Sequence, residues 1–218
     1  MFDSIAPGYD RLNALFSLGR DRAWRRRAAH EAGLQPGNAA LDLCTGTGAL
    51  ALELWRHVQP GGQVIGIDLS APMLARAPTR PGLEFLAGDA TAIPYPDHSF
   101  DAVTIGFGLR NLADRAAGLS EMHRVLRPGG RLVILEFSPP ADGLPAAGYS
   151  FYLGRVMPAV AGLVNRSYGD AYRYLSESIR AFPSPTALAA ELRGSGFRDV
   201  RIAPLTFGIA TIHTATTE

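Results

Sequence analysis

Short apolar runs alternate with helix-like patterns through the middle of the chain. The apolar runs, each bounded by glycine, proline or acidic residues, predict strands at 39–43, 64–68, 83–90, 99–107 and 131–137. Apolar residues at helical spacing predict helices between them, at 50–58, 70–74 and 113–126. Strands and helices that alternate over short connections are typical of an open parallel sheet with right-handed crossovers. We therefore predict an α/β fold.

The alternation ends before the C-terminus. A last helix is predicted at 185–195, and two strands at 200–205 and 207–214 meet around Thr206-Phe207-Gly208. We predict that these strands form a terminal β-hairpin, which completes a seven-stranded, mostly parallel sheet. No internal repeat or low-complexity linker divides the chain, so residues 1–218 are predicted to form a single domain.

Residues 138–183 interrupt the alternation. Prolines punctuate this segment, tyrosines and phenylalanines are frequent, and helical spacing returns at about 168–179. The segment is too long for a simple connection between two strands. We predict a helical cap insertion that lines a substrate pocket. The alternative is that its aromatic side chains fill core beneath the helix.

Residues 1–33, ahead of the first strand, carry apolar residues at helical spacing with a break near Pro7-Gly8. Two interpretations of this segment stay open: a helix packed on the sheet, or an N-terminal helical lid that closes over cofactor and substrate. Within it, Trp24-Arg25-Arg26-Arg27 combines an aromatic residue with three cations. This cluster predicts either a solvated helix face or a contact with anionic lipid headgroups.

A glycine turn follows the first strand directly. Thr45-Gly46-Thr47-Gly48 stands between the strand at 39–43 and the helix at 50–58. Strand, glycine turn and helix are typical of a nucleotide-cofactor site, because glycines let the backbone approach the ligand and the helix N-terminus offers unpaired N–H groups. The same pattern opens dinucleotide-binding domains, so it does not choose the cofactor alone.

Acidic residues in or just after three of the predicted strands indicate which cofactor the site binds. Asp42 lies inside the first strand, where a carboxylate suits the positive charge of an amino-acid-like group. Asp68 ends the second strand, where it suits ribose hydroxyls, and Asp89, beside Ala90, ends the third and suits an adenine edge. S-adenosylmethionine contains all three groups, and we predict it as the cofactor. A nicotinamide-dependent oxidoreductase is the alternative, because it shares the glycine loop and the acid-ended second strand.

Composition excludes several classes of protein. With 218 residues, 47% hydrophobic and 19% charged, the chain suits one globular domain. A net charge of +1 predicts no nucleic-acid partner. The single cysteine, Cys44, excludes an internal disulfide and a cysteine-based zinc cluster, and we expect no metal. The sequence shows neither a signal peptide nor a membrane span, so we expect a cytoplasmic protein that meets a membrane only at its surface.

Several longer motifs are more specific than the glycine loop. They include Phe107-Gly108-Leu109-Arg110-Asn111, Leu135-Glu136-Phe137-Ser138, and Tyr174-Leu175 with Ser178-Ile179 and Phe182-Pro183. Phe2-Asp3-Ser4-Ile5-Ala6 with Tyr9-Asp10 adds a further mark near the start. On these residues the chain resembles, over nearly its whole length, the ubiquinone/menaquinone biosynthesis C-methyltransferase family.

The resemblance implies a class I methyltransferase, with a Rossmann-like sheet and S-adenosylmethionine as cofactor. Its cofactor positions correspond to Thr47, Asp68, Asp89 and Ala90, and Gly106 matches a position where some members have a contacting serine. Ala49 stands where many members have an acidic residue. Together with the motif analysis, the predicted cofactor-binding residues are Asp42, Thr45, Gly46, Thr47, Gly48, Asp68, Asp89, Ala90 and Gly106.

The resemblance also implies methylation of a ring carbon of an isoprenoid quinol, namely demethylmenaquinol or its benzoquinol counterpart in ubiquinone biosynthesis. Arg110 is expected to stabilise the quinol oxyanion and Asn111 to orient the same oxygen. The base is expected to be a water held by Arg110, or a side chain such as Tyr9, Asp10 or Tyr172. Another small-molecule acceptor and a non-catalytic cofactor-binding subunit remain alternatives, and a homodimer is left open.

Overall fold

The computed structural model describes residues 17, 19–138 and 166–218, and the side chains of the last segment from Arg173 onward. Seven strands are found in these residues: β1 (Ala39–Leu43), β2 (Gln63–Asp68), β3 (Leu83–Ala87), β4 (Phe100–Gly106), β5 (Leu126–Phe137), β6 (Arg198–Leu205) and β7 (Ala210–Thr216). The α-helices are α1 (Arg20–Glu31), α2 (Ala49–Val58), α3 (Ala71–Leu74), α4 (Arg115–Val125), α5 (Arg166–Ala181) and α6 (Pro185–Gly194).

The strands form one mixed sheet in the order β3-β2-β1-β4-β5-β7-β6. All pairs from β3 to β5 are parallel, whereas β7 is antiparallel to both β5 and β6. The predicted sheet and its terminal hairpin are therefore confirmed. Because β6 runs parallel to β5, the hairpin turn after β6 lies at the same edge of the sheet as the carboxyl ends of β1 to β5.

Side chains that alternate along the strands bury both faces of the sheet. Leu41 belongs to a core with α4 and α6, and its neighbour Ala40 belongs to a core with α1 and α2. A parallel strand covered on both faces reads as a continuous apolar run, which is the pattern of β1 apart from Asp42 and of the centre of β2.

Polar side chains set where the helices begin. The Asp114 carboxylate accepts from the Ala117 N–H, and the Ser184 hydroxyl accepts from the Ala187 N–H. Ser70 caps α3, as its position before Pro72 indicates. Asp114 therefore starts α4 two residues later than the apolar pattern predicts.

β2, β4 and β6 differ from their predicted bounds by one or two residues, and β3 ends three residues earlier than predicted, at Ala87. The starts of β5 and β7 differ by three residues or more. β5 begins at Leu126, because Leu126 pairs with Phe100 before the register shifts and the following proline-glycine turn leaves the ladder. β7 begins at Ala210 because Thr206 and Phe207 adopt left-handed φ values of 45° and 57°, which suit a turn and not a strand.

The described part of the N-terminal segment is a helix packed on the sheet. α1 lies against α2 and β5, with Trp24, Ala28 and Ala29 buried. Of the predicted lid, residues 1–33, the part at 1–16 lies outside the described residues, and so does most of the predicted cap, at 139–165. Of the cap's later part, Ile179 and Phe182 are buried, and Phe182 packs in the α4–α6 core. None of the described helices is long and apolar enough to cross a membrane.

Candidate active site

A cavity of about 330 Å³ opens at the carboxyl edge of the sheet. Its walls come from the turns that follow β1, β2, β3 and β4, which is where open parallel sheets bind ligands. The lining residues are Cys44, Gly46, Asp68, Leu69, Ser70, Met73, Gly88, Asp89, Ala90, Gly106, Phe107, Gly108, Asn111 and Leu112.

The two glycines of the loop after β1 serve different purposes. Gly46 lines the cavity at φ 58°, and a methyl group added to it would meet no atom within 4 Å, so the space above it is open to a ligand. Gly48, at φ 76°, would bring a β-carbon within 2.6 Å of the Phe85 ring. Gly48 is therefore required for the packing of the loop on β3, and it does not line the cavity.

Asp68 joins the first two walls. Its Oδ2 accepts from the Gly46 N–H at 2.8 Å, and its Oδ1 accepts from the Ser70 N–H at 2.8 Å. Each carboxylate oxygen has two lone pairs, so both retain acceptor capacity toward a ligand hydroxyl. The structure thus places Asp68 where a diol-bearing ligand would find a fixed acceptor.

The third wall is formed by Asp89 and Ala90. Asp89 is exposed in the wall, and its Oδ1 accepts from the Thr91 N–H at 2.8 Å. The loop that follows is held from below by two side chains of α4. Glu121 accepts from the Ile93 N–H at 2.8 Å, and Arg124 donates to the Ile93 carbonyl at 3.0 Å.

Asp42 does not line the cavity, and this differs from the prediction. It is 1% exposed, and its two oxygens accept from the hydroxyls of Thr45 and Thr104, both at 2.6 Å. The physical reason is its place on a central strand, where its side chain lies on the Ala40 face of the sheet and under the glycine loop. Burial raises the pKa of this carboxyl to about 6.

Three other residues were predicted to bind the cofactor: Thr45, Thr47 and Gly106. Thr45 and Thr47 are buried and do not line the cavity, whereas Gly106 does. A β-carbon at Gly106 would lie 3.1 Å from Leu50, so a glycine at this position relieves crowding against α2. Cys44 also lies in the wall; burial raises the pKa of its thiol to about 12, so it is protonated at neutral pH.

The fourth wall is the segment after β4. Phe107 has a left-handed φ of 60°, which turns the chain sharply into a 3₁₀ turn at Leu109–Asn111. A β-carbon at Gly108 would lie 2.4 Å from that of Cys44, so only glycine allows the walls after β1 and β4 to meet. Asn111 lines the cavity, and its Oδ1 accepts from the Tyr174 hydroxyl of α5 at 3.2 Å.

Arg110 lies behind this wall. Its side chain is 5% exposed and pairs with Glu136, Nη1 to Oε1, at 2.7 Å. The same nitrogen donates to the Phe107 carbonyl, and Glu136 also accepts from the Phe137 N–H. Arg110 does not line the cavity. We had predicted that it contacts an acceptor oxygen directly. Its Nε is buried and has no hydrogen-bond partner in the described part of the chain.

Three aromatic rings extend from the cavity toward α1. Phe107, in the wall, is 4.6 Å from Phe137 and 6.3 Å from Trp24, measured between ring centroids. The guanidinium carbons of Arg25 and Arg110 lie 5.5 Å and 5.6 Å from the ring centroids of Phe107 and Phe137. The cavity therefore has a polar side near Asp68 and Asp89 and an aromatic, cation-flanked side near Phe107.

Comparison with known proteins decides the class. A family model described as the ubiE/COQ5 methyltransferase family matches residues 1–217. The chain belongs to this family. Its membership confirms the predicted enzyme class, a methyltransferase, and with it S-adenosylmethionine as the methyl donor; the nicotinamide alternative is excluded.

Curated relatives match nearly full length. A demethylmenaquinone methyltransferase of Thermus thermophilus is 52% identical over 218 residues, which cover 98% of each chain. One of the same name from Deinococcus radiodurans is 51% identical, over 96% of this chain and 88% of its own. A ubiquinone/menaquinone biosynthesis C-methyltransferase of Geobacter sulfurreducens is 48% identical, over 98% of this chain and 86% of its own.

Solved structures support the fold. A SAM-dependent methyltransferase from Aquifex aeolicus matches with a TM-score of 0.67 at 20% identity, over 96% of this chain and 98% of its own. Another from Thermotoga maritima matches with a TM-score of 0.71 at 19% identity, over all of this chain and 98% of its own. At these identities the likeness shows the fold alone, and it confirms the predicted class I methyltransferase architecture.

The residues of the cavity fit S-adenosylmethionine. Gly46 leaves open space beside its backbone, Asp68 keeps unused acceptor capacity, and the side chain of Leu69 is 74% exposed at the rim. A cavity of this size is within the range of small-molecule sites.

Sequence reasoning missed a group of residues that bring the walls together. They are Leu69, Ser70, Met73, Gly88, Phe107, Gly108 and Leu112 in the lining, and Glu121, Arg124 and Glu136 behind it. For Leu69, the readable signal was its position directly after the acid-ended second strand. The partners behind the walls are far apart in the chain, and no spacing rule identifies them.

Proposed function

We propose that this protein transfers a methyl group from S-adenosylmethionine to a ring carbon of demethylmenaquinol. Relatives that are 52% and 51% identical over nearly the whole chain have the name demethylmenaquinone methyltransferase, which supports this acceptor. The observation that supports the proposal most strongly is that the cavity has two chemically different ends. Carboxylates at one end suit a nucleoside, and an aromatic wall at the other suits a quinol ring. The bound cofactor supplies an electrophilic methyl group on its sulfonium.

On the polar side, the chain binds and orients. Asp68 accepts hydrogen bonds from the ribose hydroxyls with the lone pairs that Gly46 and Ser70 leave unused. Asp89 and Ala90 border the adenine, and the open backbone at Gly46 admits the amino-acid end. Asp42 acts indirectly, because it accepts from the Thr45 hydroxyl and so holds the first residue of the glycine loop in place.

On the aromatic side, the chain positions the acceptor ring. Phe107 provides an apolar wall, and the Asn111 amide donates to a quinol oxygen. That amide is available because its contact with the Phe107 carbonyl is long, at 3.4 Å, while Tyr174 fixes the opposite end of the side chain. Alignment of ring carbon and methyl group is the larger part of the rate enhancement in such a site.

The ring carbon becomes nucleophilic when the neighbouring hydroxyl loses its proton. The ring carbon would take the methyl group as the methyl–sulfur bond of the cofactor breaks and S-adenosylhomocysteine is released, and it would then lose its own proton so that the ring regains aromaticity. Arg110 remains our proposed stabiliser of the oxyanion, now through its positive charge from behind the wall, where Glu136 orients it. Tyr9, our proposed candidate for the base, lies outside the described residues.

A turnover assay tests the proposal. The purified protein is incubated with methyl-labelled S-adenosylmethionine and either a short-tailed demethylmenaquinol or the corresponding benzoquinol. We expect label on the naphthoquinol ring carbon, with kcat/KM at least tenfold higher than for the benzoquinol. The relative named for both pathways makes the benzoquinol the second candidate. Absence of transfer to either quinol would refute the proposal.

The role of Arg110 is tested with a conservative variant. Arg110→Ala would leave Glu136 buried and unpaired, so a loss of activity there would also reflect a damaged fold. Arg110→Lys keeps the charge and removes the guanidinium fork, and we expect a 10- to 100-fold lower kcat (about 1.4–2.7 kcal/mol) with unchanged affinity for S-adenosylhomocysteine. Arg115→Lys, in the half-exposed pair with Glu191, is the matched control. Wild-type kcat in Arg110→Lys would show that any cation suffices.

A further inference from the structure

We propose that Phe207, Arg20 and Arg22 form a docking surface for an anionic lipid bilayer, at the edge of the sheet that carries the cavity. The inference rests on the proposed function, because an isoprenoid quinol resides in a membrane and its head must reach Phe107 and Asn111 from there. Only the three named residues constitute the docking surface.

Phe207 is the first reason. Its side chain is fully exposed, at 103%, and it lies in the turn between β6 and β7. Thr206, Phe207 and Gly208 all have positive φ values, of 45°, 57° and 85°. A phenylalanine in the left-handed region is unfavourable, and here no packing compensates for it. The turn therefore exposes a large apolar side chain to water at a conformational cost. Insertion of this side chain into the apolar interior of a membrane would explain the arrangement.

Position is the second reason. The turn follows β6, which runs parallel to β5, so Phe207 lies at the same edge of the sheet as the cavity. The other most exposed large apolar side chain of the described residues, Leu69 at 74%, is on the rim of that cavity. A bilayer that receives Phe207 is thus next to the opening through which the quinol head must enter.

The arginines of α1 lie beside this turn. The Trp24 indole N–H donates to the Thr206 hydroxyl at 3.0 Å, and the Trp24 ring contacts Phe107 and Phe137 at the ends of β4 and β5. The far end of α1 is at the opposite edge, because Arg131, near the start of the parallel part of β5, donates to the Glu31 carbonyl. The N-terminal turn of α1, with Arg20 and Arg22, therefore lies at the cavity edge.

Charge is the last step. Arg20 and Arg22 are exposed, and neither pairs with a carboxylate in the described part of the chain. The carboxylate between them, Asp21, is buried and pairs with Arg25. Cations in the first turn of a helix are disfavoured by the helix dipole, so these arginines do not serve the stability of α1. Anionic headgroups provide the partner that the described part of the chain does not.

Vesicle binding of the full-length protein tests the proposal. Sedimentation is measured with vesicles of phosphatidylcholine containing about 30% phosphatidylglycerol, and with phosphatidylcholine alone. We expect binding to the anionic vesicles, weakened about tenfold by Phe207→Ser and about 25-fold by Arg20→Gln with Arg22→Gln, at about fivefold per arginine. High salt should remove the arginine contribution and leave that of Phe207.

Matched controls come from the rest of the sheet. Leu86→Ser changes an exposed apolar residue of β3, and Arg80→Gln with Arg193→Gln changes two exposed arginines near the opposite edge. Both controls should bind like the wild type. Equal binding by the Phe207 and arginine variants, equal binding to the neutral vesicles, or no binding by the wild type would each overturn the docking surface.

Turnover separates this inference from the function on which it rests. Phe207→Ser and the double arginine variant should keep wild-type kcat/KM for a soluble short-tailed demethylmenaquinol, and lose about tenfold or more for a long-tailed one in anionic vesicles. If the wild type methylates no quinol, the function fails whatever the vesicles show. If the variants methylate vesicle-borne quinol as well as the wild type does, the docking surface fails and the function stands.

Discussion

The β1–β3 side and the β4–β5 side of the cavity hold their functional groups by different means. On the first side, carboxylates accept from backbone N–H groups: Asp68 from Gly46 and Ser70, and Asp89 from Thr91. On the second side, a buried ion pair and tilted aromatic rings in contact hold the wall, and Asn111 depends on a tyrosine 63 residues away. Backbone donors stay in place when a side chain is removed, whereas a buried ion pair does not.

This difference implies that the two sides respond differently to mutation. Changes to the carboxylates of the first side should alter ligand binding and leave the fold intact. Changes behind the second wall should alter stability and catalysis together, because the groups that position the acceptor are also part of the core.

The largest expected effect is on stability, at Glu136. Glu136→Ala leaves the Arg110 guanidinium buried without its partner, and we expect a loss of about 3–5 kcal/mol in the free energy of unfolding, measured by urea denaturation. Glu191→Ala, which removes the half-exposed pair with Arg115, should cost less than about 1 kcal/mol. Similar losses of unfolding free energy in the two variants would show that the buried ion pair contributes no more to stability than the half-exposed one.

Asp42 connects the two sides, because Thr45 belongs to one and Thr104 to the other. Its pKa is about 6 in the folded protein, above the ordinary 3.8, because burial disfavours the charge. The folded state therefore holds the proton more tightly than the unfolded state, and the contribution of Asp42 to stability falls as pH rises from about 4 to about 6. At pH 7 its charge lowers the free energy of unfolding by about 3 kcal/mol.

Asp42→Asn should remove this pH dependence. We expect its stability, relative to the wild type, to rise by up to about 3 kcal/mol between pH 4 and pH 7. Urea denaturation of both proteins at intervals of one pH unit measures the difference, and titrating groups that the two proteins share cancel. Parallel stability profiles for the two proteins would contradict the raised pKa.

On the first side, Asp68→Ala should act on binding alone. The loss of acceptors for two hydroxyls should cost about 1.5–3 kcal/mol of affinity for S-adenosylhomocysteine, or roughly 10- to 150-fold. Calorimetric titration measures it, and Glu53→Ala on α2, outside the cavity lining, is the control. Unchanged affinity would remove Asp68 from the cofactor site.

The smallest expected effect is at Tyr174. Tyr174→Phe removes one partly exposed hydrogen bond to Asn111, and we expect kcat/KM for the quinol to fall about 2- to 10-fold. Affinity for S-adenosylhomocysteine should not change, since Tyr174 belongs to the second side. Tyr95→Phe, in the loop after Asp89, is the matched control. A loss of cofactor affinity in Tyr174→Phe would contradict the claim that the two sides of the cavity act separately.

The sequence by itself determined the order of strands and helices, the hairpin and the polar side of the cavity. These features depend on local signals: an apolar run, a glycine turn, and acids that end strands, as at Asp68 and Asp89. Such signals act over a few residues, because hydrophobic periodicity and turn chemistry are properties of neighbouring positions.

Only the tertiary structure decided what Asp42 and Arg110 contact. Both were predicted to face the ligand, and both lie behind the walls, because β1 is covered on both faces and Glu136 draws the guanidinium inward. The choice between solvent, ligand and buried partner depends on residues that are 26 or 62 positions away in the chain. That choice is made by packing, which no local pattern encodes.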